Sequence, residues 1–310
     1  MIPLDEIRRA RERLGGDVLR TPLVRLDDSI WLKLECLQPI GSFKLRGALS
    51  AIRAASSAEL AGGVVTASAG NMAQGVAWAA REAGVRARVI APEGAPRAKL
   101  DAVEALGGEV IPVSHEEWWR AMVEHGREGI DGLFVHPVED DAVMAGNGTI
   151  GLELVEDLAA FDAVVVPWGG GGLTTGIASA LKALRPDVRV VTVEPETAAP
   201  LAASLAAGEP REIDFRPSFV DGAGGRALLP TMWDSAREVV DAALAVPLDE
   251  TAAAMRLLAT RAHVVAEGAG ALPVAAALSG AAGGGRVVCV VSGGNVDTSV
   301  LARVLAGETP

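Results

Sequence analysis

Alternation of short apolar runs with alanine-rich segments constrains the fold of this 310-residue chain most strongly. The runs that we interpret as strands cover residues 64–68, 87–92, 109–113, 133–137, 163–168, 188–195 and 286–294. The segments with helical spacing cover residues 72–83, 97–106, 115–128, 149–158, 173–184 and 251–263. Strands that alternate with helices of this length are typical of βαβ units with parallel sheets. We therefore predict an α/β protein with two open, twisted parallel-sheet domains, flanked by helices and separated by an active-site cleft.

Composition and charge exclude several classes of protein. The net charge is −12 and no basic stripe is present, so nucleic acid is not an expected partner. No run reaches the roughly 18 uncharged apolar residues of a membrane span, and the charged amphipathic N-terminus does not resemble a signal peptide. The two cysteines, Cys36 and Cys289, form no CxxC pair that would indicate zinc or a disulfide framework. We expect a soluble cytoplasmic protein.

A lysine lies at an apparent strand-to-helix junction in the segment "GSFKLRGA", residues 41–48. Lys44 is flanked by Phe43 and Leu45, which indicates a buried position. Lysine is seldom buried without a partner. The segment therefore suggests that Lys44 has a chemical partner.

Four consecutive glycines follow an apolar strand in "VPWGGGGLTTG", residues 166–176, and open a helix. Glycine lets the backbone approach a ligand closely, and the N–H groups of a helix N-terminus favour a phosphate. The alternative is a flexible turn. No lysine follows the glycines, so this is not a Walker loop. A GxGxxA pattern at Gly222, Gly224 and Ala227 follows a segment that contains Pro217, and we consider this nucleotide fingerprint weak.

Two further turns follow candidate strands. In "TASAGNMAQG", residues 66–75, small residues could present N–H groups to a carboxylate, although Ser68 or Asn71 could equally be an ordinary helix cap. In "CVVSGGN", residues 289–295, the hydroxyl of Ser292 could pair with a ring nitrogen or could only form a turn. A phosphate, a carbon that condenses with lysine and a ring nitrogen occur together in pyridoxal 5'-phosphate. We predict this cofactor.

The chain resembles the threonine/serine dehydratases (threonine ammonia-lyases) among the fold-type II, tryptophan-synthase-β-like pyridoxal-phosphate enzymes. The matching stretches include "RTPLVRL", "LKLECLQPIGSFKLRGA", "SAGNMAQG", "GNGTIGLEL", "VPWGGGGL", "EGAGALP" and "VSGGNVD". The resemblance implies elimination of water from threonine, serine or a bulkier 3-hydroxy amino acid, which yields a 2-oxo acid and ammonia. It also implies a large cofactor-binding domain of residues 1–60 and 138–310 and a small substrate-side domain of residues 61–137.

The same resemblance implies roles for individual residues. Lys44 condenses with the cofactor and removes the α-proton of the substrate. The other residues implied to bind the cofactor are Phe43, Asn71, Gly169, Gly170, Gly171, Gly172, Leu173 and Ser292. The residues implied to bind the substrate are Ser68, Ala69, Gly70, Asn71 and Met72. Glu267 is implied to lie near the site, without an assigned role.

Some residues depart from the family pattern. Met72 replaces a usual histidine, Trp168 a small or aliphatic residue, and Val138 with Glu139 a usual "FD" pair. We expect these departures near the substrate, where they would suit a more apolar or bulkier β-substituent, or to be neutral.

Other readings remain open on the same fold. Serine racemases of this group carry a serine where this chain has Ala69, which argues against racemisation, and a β-replacement synthase is another alternative. Outside this chemistry we considered a catalytically idle binding protein and a nicotinamide oxidoreductase. Metal-activated relatives would use Glu194, the carbonyl of Ala198 and an acidic residue where this chain has Pro200, so we expect no bound metal. We expect a homodimer.

Overall fold

The computed structural model describes residues 1–95 and 97–310. In this described part of the chain the strands are β1 (Leu23–Arg25), β2 (Ile30–Lys33), β3 (Val64–Ala67), β4 (Ala87–Pro92), β5 (Gly108–Val113), β6 (Leu133–Phe134), β7 (Ala163–Pro167), β8 (Arg189–Pro195), β9 (Ala242–Val246) and β10 (Val287–Val290). The α-helices are α1 (Leu4–Leu14), α2 (Lys44–Ala54), α3 (Asn71–Ala83), α4 (Arg97–Ala105), α5 (His115–Val123), α6 (Asp141–Asp157), α7 (Gly172–Leu184), α8 (Pro200–Ala207), α9 (Pro230–Val239), α10 (Leu248–Leu257), α11 (Gly268–Leu278) and α12 (Thr298–Leu305). None of the helices in these two ranges is long and apolar enough to cross a membrane.

Six strands form the larger sheet, in the order β1-β2-β10-β7-β8-β9. All neighbours are parallel except β1 and β2, which pair antiparallel at one edge. Every residue of β7 and β10 is buried. Burial on both faces is the normal environment of a parallel sheet, and it explains the uninterrupted valine runs of these central strands.

Four parallel strands form the second sheet, in the order β5-β4-β3-β6. All four lie between residues 64 and 134, inside the segment 61–137 that we assigned to a small domain. The α/β class with two mainly parallel sheets is therefore confirmed, whereas the domain boundaries stay a prediction. Each of the seven predicted strands is present, although β6 covers only two residues of the segment 133–137.

The missed and misplaced elements have local causes. Strands β1 and β2 are short and end in the basic residues Arg25 and Lys33, and β9 is alanine-rich, so none has a clear strand signal. Helix α6 begins eight residues before the predicted segment 149–158. Its glycines reduced the helical signal, but they allow close packing, since a Cβ at Gly148 would lie 2.9 Å from the carbonyl oxygen of Gly176 in α7.

A buried network of four charges joins β2, α2 and α6. The guanidinium of Arg46 donates to Glu35 at 2.8 Å and to Glu153 at 2.6 Å, and the ammonium of Lys33 donates to Glu153 at 2.5 Å. All four side chains are at least nine-tenths buried. The two positive and two negative charges balance, and the network anchors α2 two residues after Lys44.

Replacement of Arg46 by leucine is expected to lower the free energy of unfolding by about 3–5 kcal/mol, because Glu35 and Glu153 lose a buried counter-charge. Urea denaturation measures the effect. The control is Arg81→Leu, which removes a half-exposed arginine from its 3.4 Å pair with Glu82 and should change stability by no more than about 0.5 kcal/mol. Equal losses in both variants would contradict a special contribution from the network.

Candidate active site

A cavity of about 980 Å³ opens where loops from both sheets meet. Its walls include every residue that was implied to bind the cofactor or the substrate, together with Glu267: Phe43, Lys44, Ser68, Ala69, Gly70, Asn71, Met72, Gly169, Gly170, Gly171, Gly172, Leu173, Glu267 and Ser292. They converge because loops after the carboxyl ends of parallel strands meet at the same edge of a sheet. The position of the cavity agrees with the predicted cleft, and the roles of the individual residues stay predictions.

Lys44 is the first residue of α2, and this half-buried residue lies in the cavity wall. Backbone bonds place it there: Ser42 forms a β-bridge with Gly293, and the N–H of Phe43 donates to the carbonyl of Ser292 at 3.0 Å. The ammonium donates to the carbonyl oxygen of Pro137 at 3.0 Å. Burial lowers the pKa of Lys44 to about 8, and Glu267 opposes this shift. About a tenth of this amine is therefore uncharged at pH 7.

The glycine loop between β7 and α7 presents backbone N–H groups to the cavity. None of the N–H groups of residues 169–173 donates to a backbone or side-chain acceptor within the described ranges. The back of the loop packs on protein, since a Cβ at Gly172 would lie 3.0 Å from the carbonyl oxygen of Val138, and one at Gly171 would meet the ring of Trp168. Free N–H groups at a helix N-terminus attract an anion, and a phosphate is the best match for so many donors.

A second helix N-terminus, that of α3, faces the same cavity. Gly70 is its N-cap and makes no side-chain capping bond, and the hydroxyl of Ser68 accepts a bond from the N–H of Gly70 at 3.2 Å. Ordinary capping by Ser68 or Asn71, the alternative reading of this turn, is therefore absent from this described helix. The open N–H groups of the first turn can receive a second anion, such as a carboxylate.

Asn71 and Glu267 are joined across the cavity wall. The amide nitrogen of Asn71 donates to the carboxylate of Glu267 at 2.9 Å, and the amide oxygen of Asn71 accepts from Asn295 at 2.8 Å. Burial raises the pKa of Glu267 to about 7, although the bond from Asn71 opposes the shift. These two bonds fix which way the amide of Asn71 faces. The sequence analysis missed Asn295, although the residue belongs to the "VSGGNVD" motif.

The structure corrects the expected placement of two departures. Trp168 is fully buried and packs with Met144, Leu201 and Met232 in a core cluster beneath the glycine loop, rather than in the cavity wall. The bulky ring of Trp168 fits there because Gly171 above it has no side chain. The carboxylate of Glu139 accepts from Thr231 and lies 3.4 Å from His125, and Glu139 is not among the residues that line the cavity.

The other two departures do line the cavity. Val138 supports the glycine loop, and Met72 contributes to the cavity wall. The side chain of Met72 is only 1% exposed and belongs to an apolar core cluster with Leu45 and Val76. Its effect on substrate preference stays a prediction.

Glu194, the possible metal ligand, accepts hydrogen bonds from backbone N–H groups. Its two carboxylate oxygens accept from the N–H groups of Leu201 at 3.1 Å and Ala202 at 2.9 Å, at the start of α8. Burial raises the pKa of Glu194 to about 8. The carboxyl group therefore supports the helix N-terminus.

The residues in the cavity fit pyridoxal 5'-phosphate. A set of free N–H groups matches the phosphate, an amine with a low pKa matches the aldehyde, and the hydroxyl of Ser292 lies on the cavity wall where it could meet a ring nitrogen. The cavity volume of about 980 Å³ leaves room for an amino acid beside such a cofactor.

Comparisons with known proteins agree with this chemistry. The family model described as "Pyridoxal-phosphate dependent enzyme" matches residues 15–293. The L-threonine ammonia-lyase of Thermotoga maritima is 40% identical over 315 residues, which cover 98% of this chain and 78% of that protein. A solved threonine deaminase from T.th. superposes with a TM-score of 0.83 and 38% identity, covering 95% of this chain and 99% of that one. Maize serine racemase superposes with a TM-score of 0.90 and 32% identity, covering 98% and 97% of the two chains.

Proposed function

The chain belongs to the family of pyridoxal-phosphate-dependent enzymes, and we propose that it is an ammonia-lyase acting on 3-hydroxy amino acids. It converts threonine, serine or a bulkier 3-hydroxy amino acid to a 2-oxo acid and ammonia. One observation carries the proposal: a half-buried amine of lowered pKa, Lys44, shares a cavity with two open helix N-termini. The relatives named as L-threonine ammonia-lyase and threonine deaminase support the same chemistry.

Bound pyridoxal phosphate supplies an aldehyde that condenses with amines and a conjugated ring that accepts the electron pair of a broken bond at Cα. Lys44 provides the amine and, once released, the base that takes the α-proton. Its lowered pKa suits both tasks, because only the uncharged amine is a nucleophile or a base. Loss of the α-proton and of the β-hydroxyl as water, followed by hydrolysis, balances to 2-oxo acid and ammonia.

The two helix N-termini orient the reacting groups. We assign the phosphate to residues 169–173 at the start of α7, and the substrate carboxylate to residues 68–72 at the start of α3. Both anions then face the positive ends of helix dipoles, each with open N–H donors. A carboxylate bound at this site would hold the Cα of the substrate beside Lys44, with the rest of the cavity on the other side of Cα.

We assign Ser292 to the ring nitrogen of the cofactor, and Phe43 to packing against its ring. A hydroxyl group can bond to an uncharged ring nitrogen, whereas a carboxylate would stabilise the protonated ring. The assignment therefore favours a reaction in which a β-leaving group departs as the α-proton is lost. Asn71, whose orientation Glu267 and Asn295 fix, is assigned to the ring hydroxyl.

Two aromatic residues of the cavity lining support the inclusion of bulkier substrates. Trp118 and Phe215 line the same cavity as the predicted substrate residues. We propose to test serine, threonine, 3-hydroxyaspartate and β-aryl serines, and to measure 2-oxo acid and ammonia together. Equimolar products from at least one of them support the proposal. Product formation only with a second nucleophile would favour a β-replacement synthase instead.

Racemisation is the second candidate, because the fold matches maize serine racemase. A racemase exchanges protons on both faces of Cα, and Ala69 offers only a methyl group at the position where serine racemases of this group carry serine. We expect D-serine to form from L-serine more slowly than pyruvate by at least tenfold, measured by chiral chromatography. Faster formation of D-serine than of pyruvate would contradict this expectation.

The lowered pKa of Lys44 gives a direct pH prediction. The rate at which cofactor-free protein forms its covalent link with pyridoxal phosphate is expected to rise with pH to a plateau, with an apparent pKa of about 8. An ordinary lysine would give a midpoint near 10.4, since only the uncharged amine reacts. Stopped-flow absorbance at several pH values measures the rate. A midpoint above 10 would contradict the lowered pKa of Lys44.

We also propose that the chain is a cytoplasmic homodimer. Leu37 and Val265 are apolar residues that are 42% and 46% exposed. Their segments lie close together, because the backbone of Gly294 packs against both Cys36 and Val265. A neighbouring pair of exposed apolar residues suits a contact between copies. Light scattering should give twice the chain mass of 31.8 kDa.

A further inference from the structure

His136 is a buried histidine whose ring closes a tight turn at the cavity. Only 1% of the residue is exposed. Its ring atom Nδ1 accepts the backbone N–H groups of Val138 at 3.1 Å and Glu139 at 2.6 Å. The two bonds span the residues that follow Pro137, so the ring braces the turn from inside. Histidine here replaces the short polar side chains that commonly close such turns.

These bonds determine the protonation state of the ring. Because Nδ1 accepts two N–H groups, its lone pair is occupied and the ring proton of neutral imidazole is on Nε2. Burial and the neighbouring His125 lower the pKa of His136 to about 4, and Glu139 opposes the shift. The ring of His125 stacks on it at 4.5 Å, and the carboxylate of Glu139 lies 3.7 Å from Nε2.

A metal ion is a poor occupant of this cluster. One potential ligand atom from each of His125, His136 and Glu139 lies within 4.8 Å of the others. An ion would need a free lone pair on the histidine ring, yet Nδ1 of His136 already accepts two bonds and Nε2 carries the proton. The ring of His136 therefore stabilises the turn through its two hydrogen bonds.

The turn presents the carbonyl oxygen of Pro137 to the amine of Lys44, 3.0 Å away. No other described residue hydrogen-bonds to this amine, and Glu267 acts on it only through its charge. An amine that donates one N–H to a fixed carbonyl loses most of its rotational freedom, and its lone pair remains available in a defined direction. Proton transfer requires such alignment.

We propose that His136 is a positioning residue, which holds the Pro137 carbonyl as a docking point for the Lys44 amine while the lysine is not bonded to the cofactor. The inference rests on the proposed function, because it concerns the stage at which the released lysine removes the α-proton. The docking point keeps the base beside Cα instead of leaving it mobile in a cavity of about 980 Å³.

Three substitutions of His136 separate this role from simple packing. His136→Asn keeps a short side-chain oxygen that can accept the same two N–H groups, as asparagine does in Asx turns. His136→Leu fills space without an acceptor, and His136→Gln, whose acceptor is farther along the side chain, serves as the second non-bonding variant if the leucine variant does not fold. The control is His125→Asn, which removes the stacked ring at a positive φ of 54° that asparagine tolerates.

We expect kcat for 2-oxo acid formation to fall at least tenfold in the leucine and glutamine variants, with KM and cofactor content within threefold of the parent protein. The asparagine variant and the His125→Asn control should keep kcat within about threefold. In cofactor-free protein the apparent pKa of Lys44 should fall below its parent value in the non-bonding variants only, since a lost carbonyl acceptor disfavours the charged amine.

The pKa measurement remains informative if no 3-hydroxy amino acid proves to be a substrate, so failure of the proposed function is distinguishable from failure of this inference. Equal losses in the asparagine and leucine variants would overturn the inference, as would an unchanged pKa of Lys44 in both non-bonding variants. Restoration by asparagine of both kcat and the pKa would support it.

Discussion

The Lys44→Ala variant is expected to lose at least about 10⁴-fold in kcat/KM for elimination, because it removes both the nucleophile and the base. The covalent link between protein and cofactor should be lost as well. The fold should persist, since the Lys44 amine has one carbonyl acceptor and no ion-pair partner among the described residues. Loss of activity therefore reports chemistry and not unfolding.

Borohydride reduction followed by peptide mapping measures the covalent link, and ammonia release measures the activity. The control is Lys182→Ala, which removes a lysine paired with Asp241 at 2.9 Å on the surface, away from the cavity. This variant should retain the reduced cofactor on the peptide that contains Lys44. Recovery of the reduced cofactor on a lysine other than Lys44 in the parent protein would overturn the assignment.

Much of the architecture follows from local pattern. The valine-rich strands β7 and β10 are buried on both faces, so their sequence contains no polar alternation that could be misread. Helix α11 is harder to predict, because Pro273 and two glycines lie within it and packing stabilises it despite poor propensity. Edge strand β1 depends on its partner β2 rather than on its own three residues.

The candidate site also has parts that local sequence pattern predicts and parts that it does not. Glycine-rich turns after strands can be recognised locally, and parallel topology brings them together. The bonds of Asn295 to Asn71 and of Lys44 to Pro137 join residues 224 and 93 positions apart, and no local pattern contains them. Trp168 was misplaced for a related reason: a local pattern locates it at the end of a strand but does not indicate the side of the loop on which its ring packs.

The second large effect is expected at Gly171, the N-cap of α7, which has a φ of 103°. Valine strains this backbone, and its Cβ would lie 2.5 Å from the buried Trp168 ring and 2.9 Å from Met232. Backbone strain and overpacking each cost about 1–3 kcal/mol, so the loop is expected to shift. Gly171→Val should therefore weaken the affinity for pyridoxal phosphate at least tenfold, measured by equilibrium dialysis.

The contributions of backbone strain and of contact with Trp168 to this loss of affinity can be measured separately. Gly84 has a similar positive φ of 68° with open space around it, so Gly84→Val should cost stability through backbone strain alone and leave cofactor affinity unchanged. Adding Trp168→Leu to Gly171→Val should recover part of the affinity, because a smaller side chain relieves the contact beneath the loop. Full affinity in the single Gly171→Val variant would mean that the phosphate does not depend on this loop. A loss that Trp168→Leu leaves unchanged would instead attribute the effect to the backbone at Gly171, since the core beneath would then have room for the new side chain.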